Sequence, residues 1–580
     1  MKPALLHLYF PALLLTAPIT FGFAHAETHY VSKTGSDTPP YTSRETAASS
    51  IQSAIDASSE GDTVLIGPGV FMERITLKSY VTVNGSGQGL TVIDWPYGPI
   101  VTCVNLISTR IEGLTVTGGH MSRRGGGIYI EGSTNAVVRD CQITENRADY
   151  QDAEGVGGGV CALNSEISLE DCVITNNVAR EDGGGVFLGC AGKVCRLIAC
   201  DMVGNRAIEG GGGGILCYCL AEIRDCVIAE NQAAGDGGGV VCAQATAVDR
   251  CVIQNNRVDG SGSRRGWGAG VYYAAGPPGA ITNSVIGGNQ AATGYSRGIF
   301  WEADANIVNC TFLPQKYDKN SAPIEVGYPA EDVGTYENIT NCAFVGEPIV
   351  VHGGRVTYSL VPDLRYAEET EGNIEGSPDF RVRATCGVQS WSYDSRRGVT
   401  SVLCDSPVGA QDEFKHMFAL RGNYYESYLI AGNSENELLL YGRASSLPLV
   451  LIITDLSPSE NSPCIDAGNN DAEYLPDEDR AGNFRIWRGR DEWRVDMGAY
   501  EYGSRRFKIA AVVPTAEPGH LKLTWNSQPF TDKTYSIYLS PDLATWTLVG
   551  SNMPSQGETT SWIDPTADVF PSRFYRISSP

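Results

Sequence analysis

"EDGGGVFLGC" (residues 181–190), "EGGGGGILCYC" (209–219) and "GDGGGVVCAQ" (235–244) each set a glycine cluster before a β-branched residue. Glycine weakens helix and strand alike, so a run of it that keeps returning must meet a geometric demand. The apolar residues that close the clusters are Ile128, Val160, Val186, Ile215, Val240, Val271 and Ile299, spaced 25 to 32 residues apart. A second phrase travels with the first: "DCQITENRA" (140–148), "DCVITNNVA" (171–179) and "DCVIAENQA" (225–233). It places a small residue at Cys141, Cys172, Cys200, Cys226, Cys251, Ser284, Cys310 and Cys342, with an apolar residue two positions later. Three positions further on come Asn146, Asn177, Asn205, Asn231, Asn256 and Asn289.

Self-similarity at this period means stacked supersecondary units. The two-residue step from Cys to Ile is strand alternation with both side chains inward. Each unit therefore reads as one coil of short strands, and coils stacked about 4.8 Å apart make an all-β parallel β-helix. The glycines let the chain turn a tight corner against the neighbouring coil. The asparagines tolerate left-handed backbone and should form a ladder of side-chain amides. The in-register cysteines should be small, apolar core residues with free thiols, because parallel Cβ vectors suit a disulfide badly. Off that ladder, Cys190 with Cys195 and Cys217 with Cys219 are the better disulfide candidates.

The entry to the stack carries a resemblance. "SSIQSAIDASS" (49–59) sets Ile51, Ala54 and Ile55 on one helical face, and strand-like "ITLKSYVTVNGSGQGLTVID" (75–94) follows. A short helix there would cap the open end of the stack. This stretch resembles the entry to secreted, pectin-lyase-like right-handed parallel β-helix proteins. The GGG[IV] and [IM]xxN repeats resemble those of polymorphic outer-membrane proteins. "SPCIDAGNND" (462–471) and "VDMGAYEY" (495–502) look like the closing elements of bacterial surface β-helix proteins. The expected division is a signal peptide (1–26), a β-helix with an N-terminal helical cap (27–345), a closing region with an inserted strand-rich segment (346–503), and a small fibronectin-III-like β-sandwich (504–580). Trp525, Trp546, Trp562 and Tyr575 are expected in the core of that last unit.

The formal charge of −24 argues against nucleic acid and anionic membranes as partners. Residues 1–26 read as an export signal ending at Ala24-His25-Ala26, and no later segment is long and apolar enough to span a bilayer. The expected product is a monomer, secreted or held at the cell surface.

The resemblance raises lyase and glycosidase chemistry, yet the polygalacturonase signatures are absent and Lys193 is the sole lysine between Tyr80 and Leu313. Two basic clusters remain. "GGHMSRRGGG" (118–127) carries His120, Arg123 and Arg124. The loop at 258–273 and the stretch at 294–304 together carry Arg264, Arg265, Trp267, Tyr272, Tyr273, Tyr295, Arg297 and Trp301. Aromatic faces beside guanidinium groups suit a polysaccharide, so the second cluster is the favoured glycan site. A non-catalytic glycan-binding or surface-interaction protein is the expected function, with a polysaccharide lyase or glycoside hydrolase as the alternative. Asp477 and Asp479, on alternate positions near Gly482, are candidate calcium ligands.

Overall fold

The computed structural model describes residues 26–580 apart from 151–154, 261–265, 275–278, 292–297, 302–304, 315–323, 327–336, 346–348, 352–354, 363, 366–368, 377, 395–397, 421–426, 445, 489–492, 529–532, 542–544, 567–572 and 579–580. Its first part is a stack of coils whose strands join three long parallel sheets of 14, 11 and 9 described strands. The residues that follow the glycine clusters lie in one register, Ile128–Val160–Val186–Ile215–Val240–Val271–Ile299. Those two places after the ladder thiols form a second column, Ile143–Ile174–Met202–Ile228–Ile253–Ile286–Phe312–Phe344. Both columns are buried along their length and form the axis of the core. The coils run past residue 345, because the strand Glu369–Glu371 still pairs in parallel with Arg355–Thr357.

Each glycine of a cluster has its own reason. Gly183 has φ +68, and a Cβ there would lie 2.6 Å from the Val186 carbonyl oxygen. At Gly184 a Cβ would meet the Gly213 oxygen of the next coil at 2.4 Å. At Gly185 it would press on the Gly214 oxygen at 2.7 Å and on the Asn205 amide at 3.0 Å. Left-handed backbone, coil-to-coil approach and room for the amide ladder are three separate demands met in succession.

The ladder itself is fully buried. Asn205 Nδ2 donates to Asn231 Oδ1 (3.0 Å) and to the Ile174 carbonyl (2.8 Å), while Asn205 N donates to the same Asn231 Oδ1 (2.9 Å). The pattern repeats from Asn146 to Asn289. The ladder thiols are buried and unbonded. Cys190, Cys195, Cys217 and Cys219 are free as well, so neither expected bond forms there. The chain's one disulfide joins Cys386 to Cys404, with Cα atoms 5.6 Å apart on neighbouring antiparallel strands.

The helix Ile51–Ala57 closes the first coil with Ile51, Ala54 and Ile55 buried. Glu73 anchors its start, accepting from Ser50 Oγ (2.7 Å), Ile51 N (2.9 Å) and Gln52 N (3.1 Å). Residues 380–458 form a closed six-stranded antiparallel barrel that docks on the side of the stack. Two sheets of three strands make up the last unit, around Leu523, Trp525, Tyr535 and Ile537. Trp562 and Tyr575 pack partly buried on that core. Trp546 is half-buried apart from that core, with the Arg576 guanidinium 5.2 Å from its ring centroid.

Barrel and closing segment cover different parts of the stack. In the 11-stranded sheet one outward column runs Thr117–Thr144–Thr175 and then becomes Val203–Ala229. From Val203 onward it packs against Phe418, Leu420 and Leu429 of the barrel. Residues 462–503 lie along a corner. Asn283, Asn309 and Asn341 donate through Nδ2 to the carbonyls of Glu478 (2.8 Å), Asp496 (3.1 Å) and Asn469 (3.0 Å).

Candidate functional site

Of the three members of the favoured aromatic cluster whose side chains the structure describes, Trp267 and Tyr273 are buried and Tyr272 is half-buried. Tyr273 points into the core at 2 % exposure, and its hydroxyl donates to the Thr246 carbonyl (3.0 Å). Strand alternation from Val271 turns it inward, in register with Cys242 and Cys217, and Gly279 leaves room for its ring. Trp267 is 6 % exposed and stacks on Phe300 with centroids 4.4 Å apart. Half-buried Tyr272 stacks on the other part of the same set, 5.8 Å from Phe300. These rings extend an apolar column that already covers the outside of the 9-stranded sheet through Cys161, Phe187, Leu216 and Val241. Trp267 and Tyr273 therefore offer no face to a ligand, which corrects the expectation for both. Arg264, Arg265, Tyr295, Arg297 and the Trp301 side chain lie outside the described residues.

The calcium expectation is also corrected. Asp479 is fully buried and its carboxylate is taken up by donors: Ala481 N (2.9 Å), Asn483 N (2.7 Å), Asn483 Nδ2 (3.1 Å) and Glu501 N (3.0 Å). A cation there would face a ring of N–H groups. Asp477 is exposed and pairs with Lys533 Nζ at 3.5 Å. Among the described residues no cluster of three or more His, Cys, Asp or Glu could hold a metal ion.

The first basic cluster, by contrast, opens onto a groove. Residues 118–127 bulge between the strands Thr115–Thr117 and Ile128–Glu131. Met121 takes left-handed backbone (φ 55), and its N–H donates to Asp149 (3.2 Å). Burial alone would raise the Asp149 carboxyl, but hydrogen bonds from Arg147 and Met121 N hold it below the ordinary range. Ser122 Oγ donates to the Arg124 carbonyl (2.9 Å) and so fixes the turn that exposes Arg123 and Arg124. The Arg123 guanidinium sits 5.0 Å from the Tyr150 ring centroid. Tyr129 donates to Glu131 (2.7 Å), and burial followed by that bond pushes its phenol up to about 12.

A cavity of about 850 Å³ lies over Arg123, Arg124, Tyr129, Tyr150, Met121 and Pro99. A second, of about 510 Å³, lies over Arg74, Trp95, Met72, Glu73 and the same Pro99. The shared proline makes them neighbours along the side of the stack. Arg74, Met72, Met121, Arg123 and Arg124 are exposed, and the Trp95, Tyr129 and Tyr150 rings are half-buried. Among the described residues Glu73 is the one acidic side chain in either lining, and three donors at the start of the capping helix hold it.

The chain matches the family model described as "Right handed beta helix region" over residues 84–276. The fold is a right-handed parallel β-helix. Among solved structures it is similar to the Azotobacter vinelandii mannuronan C-5 epimerase AlgE4 A-module, at 14% identity over 56% of this chain and 90% of that one, TM-score 0.35. It is similar to XylC in complex with xylose, at 11% identity over 82% and 99%, TM-score 0.36. The tailspike protein of E. coli bacteriophage HK620 in complex with a pentasaccharide matches at 10% identity over 74% and 93%, TM-score 0.23. No curated protein matches the sequence.

Proposed function

We propose that this is an exported or cell-surface β-helix protein that binds a glycan without cleaving it, in the groove over residues 72–150. One observation carries the reading: the groove combines aromatic rings with Arg74, Arg123 and Arg124, and among the described residues its lining holds no unengaged carboxylate. Ring faces stack on sugars, and guanidinium groups hold hydroxyls or acid groups. Glycoside hydrolysis needs two carboxyl groups flanking the scissile bond, and among the described residues the lining supplies only Glu73, which caps a helix. The lyase or hydrolase alternative therefore has less to stand on than binding. No helix among the described residues is long and apolar enough to cross a membrane.

The test is affinity electrophoresis of the full chain through gels containing acidic or neutral polysaccharides. At least one gel should retard the protein. The double variant Arg123→Ala/Tyr150→Ala should lose that retardation with its melting temperature nearly unchanged. The same mixtures should release neither reducing ends nor unsaturated uronates. Retardation that survives in the variant would move the site elsewhere, and released product would make the protein an enzyme.

A further inference from the structure

A separate cleft of about 500 Å³ opens where the barrel meets the closing segment. Arg381 and Asp455 come from barrel strands, and Arg480, Tyr500 and Tyr502 come from the closing segment. Most carboxylate oxygens around it are engaged, Glu501 Oε1 being the buried exception. Asp455 accepts from Ser457 N (3.0 Å) and Ser457 Oγ (2.6 Å) and faces Arg383 at 3.7 Å. Asp479 holds four donors, and Glu501 accepts from Asp496 N (3.1 Å) beside Arg485 at 3.7 Å. Burial pushes the Glu501 carboxyl well above the carboxylate range.

The donors, in contrast, are open. Arg381 is exposed at the mouth and pairs with no acidic side chain among the described residues. The Tyr500 hydroxyl makes no hydrogen bond to the protein among those residues, and burial raises its phenol to about 12, so it stays a donor. In a chain of net charge −24 this cleft thus sets the Arg381 guanidinium and the Tyr500 phenol donor in one lining. The volume falls within the range of small-ligand sites.

We propose that this cleft is a second binding site, distinct from the groove, for a small carboxylate that also carries hydroxyls. Its carboxylate pairs with Arg381, its hydroxyls meet the Tyr500 hydroxyl and Asn483, and its carbon skeleton lies against the Tyr502 ring. A free sugar acid and the acidic end of a glycan share this chemistry.

Isothermal titration of the full chain with D-glucuronate, with D-glucose and with a glucuronate-terminated disaccharide tests it. Glucuronate should bind saturably and glucose at least roughly tenfold more weakly, since the charge-assisted contact is lost. The Arg381→Met variant, at an exposed position, should lose glucuronate roughly tenfold, and Tyr500→Phe should weaken it further. The groove variant Arg123→Ala/Tyr150→Ala should bind glucuronate as the parent does. A disaccharide that binds more tightly than the monosaccharide marks a glycan end, and equal affinity marks a free acid. No saturable binding, equal binding of glucose, or an Arg381→Met variant indistinguishable from the parent would overturn the proposal.

Discussion

The third glycine of a cluster is tolerated for a reason that a lone residue never shows: the amide of the neighbouring coil fills the space its side chain would need. Gly185→Ala must push against the Gly214 carbonyl and the Asn205 amide together. Gly192 has φ +72 but nothing within 4 Å of a built Cβ. Alanine at Gly192 should cost about 1 kcal/mol from left-handed backbone alone. At Gly185, where the backbone is not left-handed, it should cost more, about 3 kcal/mol, through overpacking. Urea unfolding of the two variants checks this, and equal losses would mean that the coils give way easily. Asn231→Ala removes donors to Asn256 Oδ1 and the Met202 carbonyl, and the acceptor of Asn205. Leaving the Met202 carbonyl and the Asn205 donors unpaired should cost about 3 kcal/mol. The thiols are decided at the same scale. Seventeen cysteines less the two of the Cys386–Cys404 bond leave fifteen free. In denaturant a thiol reagent should count those fifteen. In the native protein most should stay silent, because burial pushes thiols such as Cys103 and Cys242 up to about 12.

Among elements, docking of the barrel turns on one charge set in an apolar column. Val173, Val227, Val252 and Val285 are the register partners of that column, and Asp201 stands among them. It faces His416 Nε2 (3.3 Å), Lys415 Nζ (3.8 Å) and the Tyr441 hydroxyl (3.4 Å) of the barrel. Burial alone would raise its carboxyl, but the hydrogen bond and charge of His416, the charge of Lys415 and the Tyr441 bond hold it below the ordinary range. A depressed folded pKa adds stability above the unfolded carboxylate pKa and loses it as pH falls through the folded value. Asp201→Asn should therefore melt lower than the parent at pH 7, and the gap should close as the pH is taken below 4; a constant gap would assign the loss to packing. The repeat made the coils legible in sequence because each inward position recurs in register. The barrel was legible only as a strand-rich insertion, and its docking face was missed. The signal was present: the outward threonines at 117, 144 and 175 give way to Val203 and Ala229. The corner residue likewise changes from Asp140, Asp171 and Asp225 to Asn283, Asn309 and Asn341, where the closing segment lies. The burial of Trp267 and Tyr273 has the same origin. Composition ranks Trp267 and Tyr273 as exposed binders, while strand alternation and stacking on Phe300 bury them.

Over the whole molecule, cover is distributed unevenly, and that distribution decides where a ligand can reach the stack. The later coils carry the barrel on one face and the closing segment along a corner. Among the described residues the coils that hold the groove, residues 72–150, have neither, and in the 11-stranded sheet their outward column stays threonine. Hydrogen-bond ladders are alike along the stack, so any difference in opening must come from what lies outside it. Amides exchange through local openings whose cost rises with the apolar contact that must be broken. In native hydrogen exchange, the strands Thr115–Thr117 and Gln142–Thr144 should exchange faster than Val227–Ala229 and Val252–Gln254, which belong to the same sheet. The paired strands differ in cover and not in register, so the comparison isolates the barrel's contribution. Asp201→Asn should speed exchange in the second pair and leave the first unchanged. Equal protection in both pairs would mean that the coils open as one unit and that the barrel adds surface without stability. With the expected gradient, the groove lies on the part of the stack that opens most readily, and a bound glycan should slow exchange in Thr115–Thr117 before it slows exchange anywhere under the barrel.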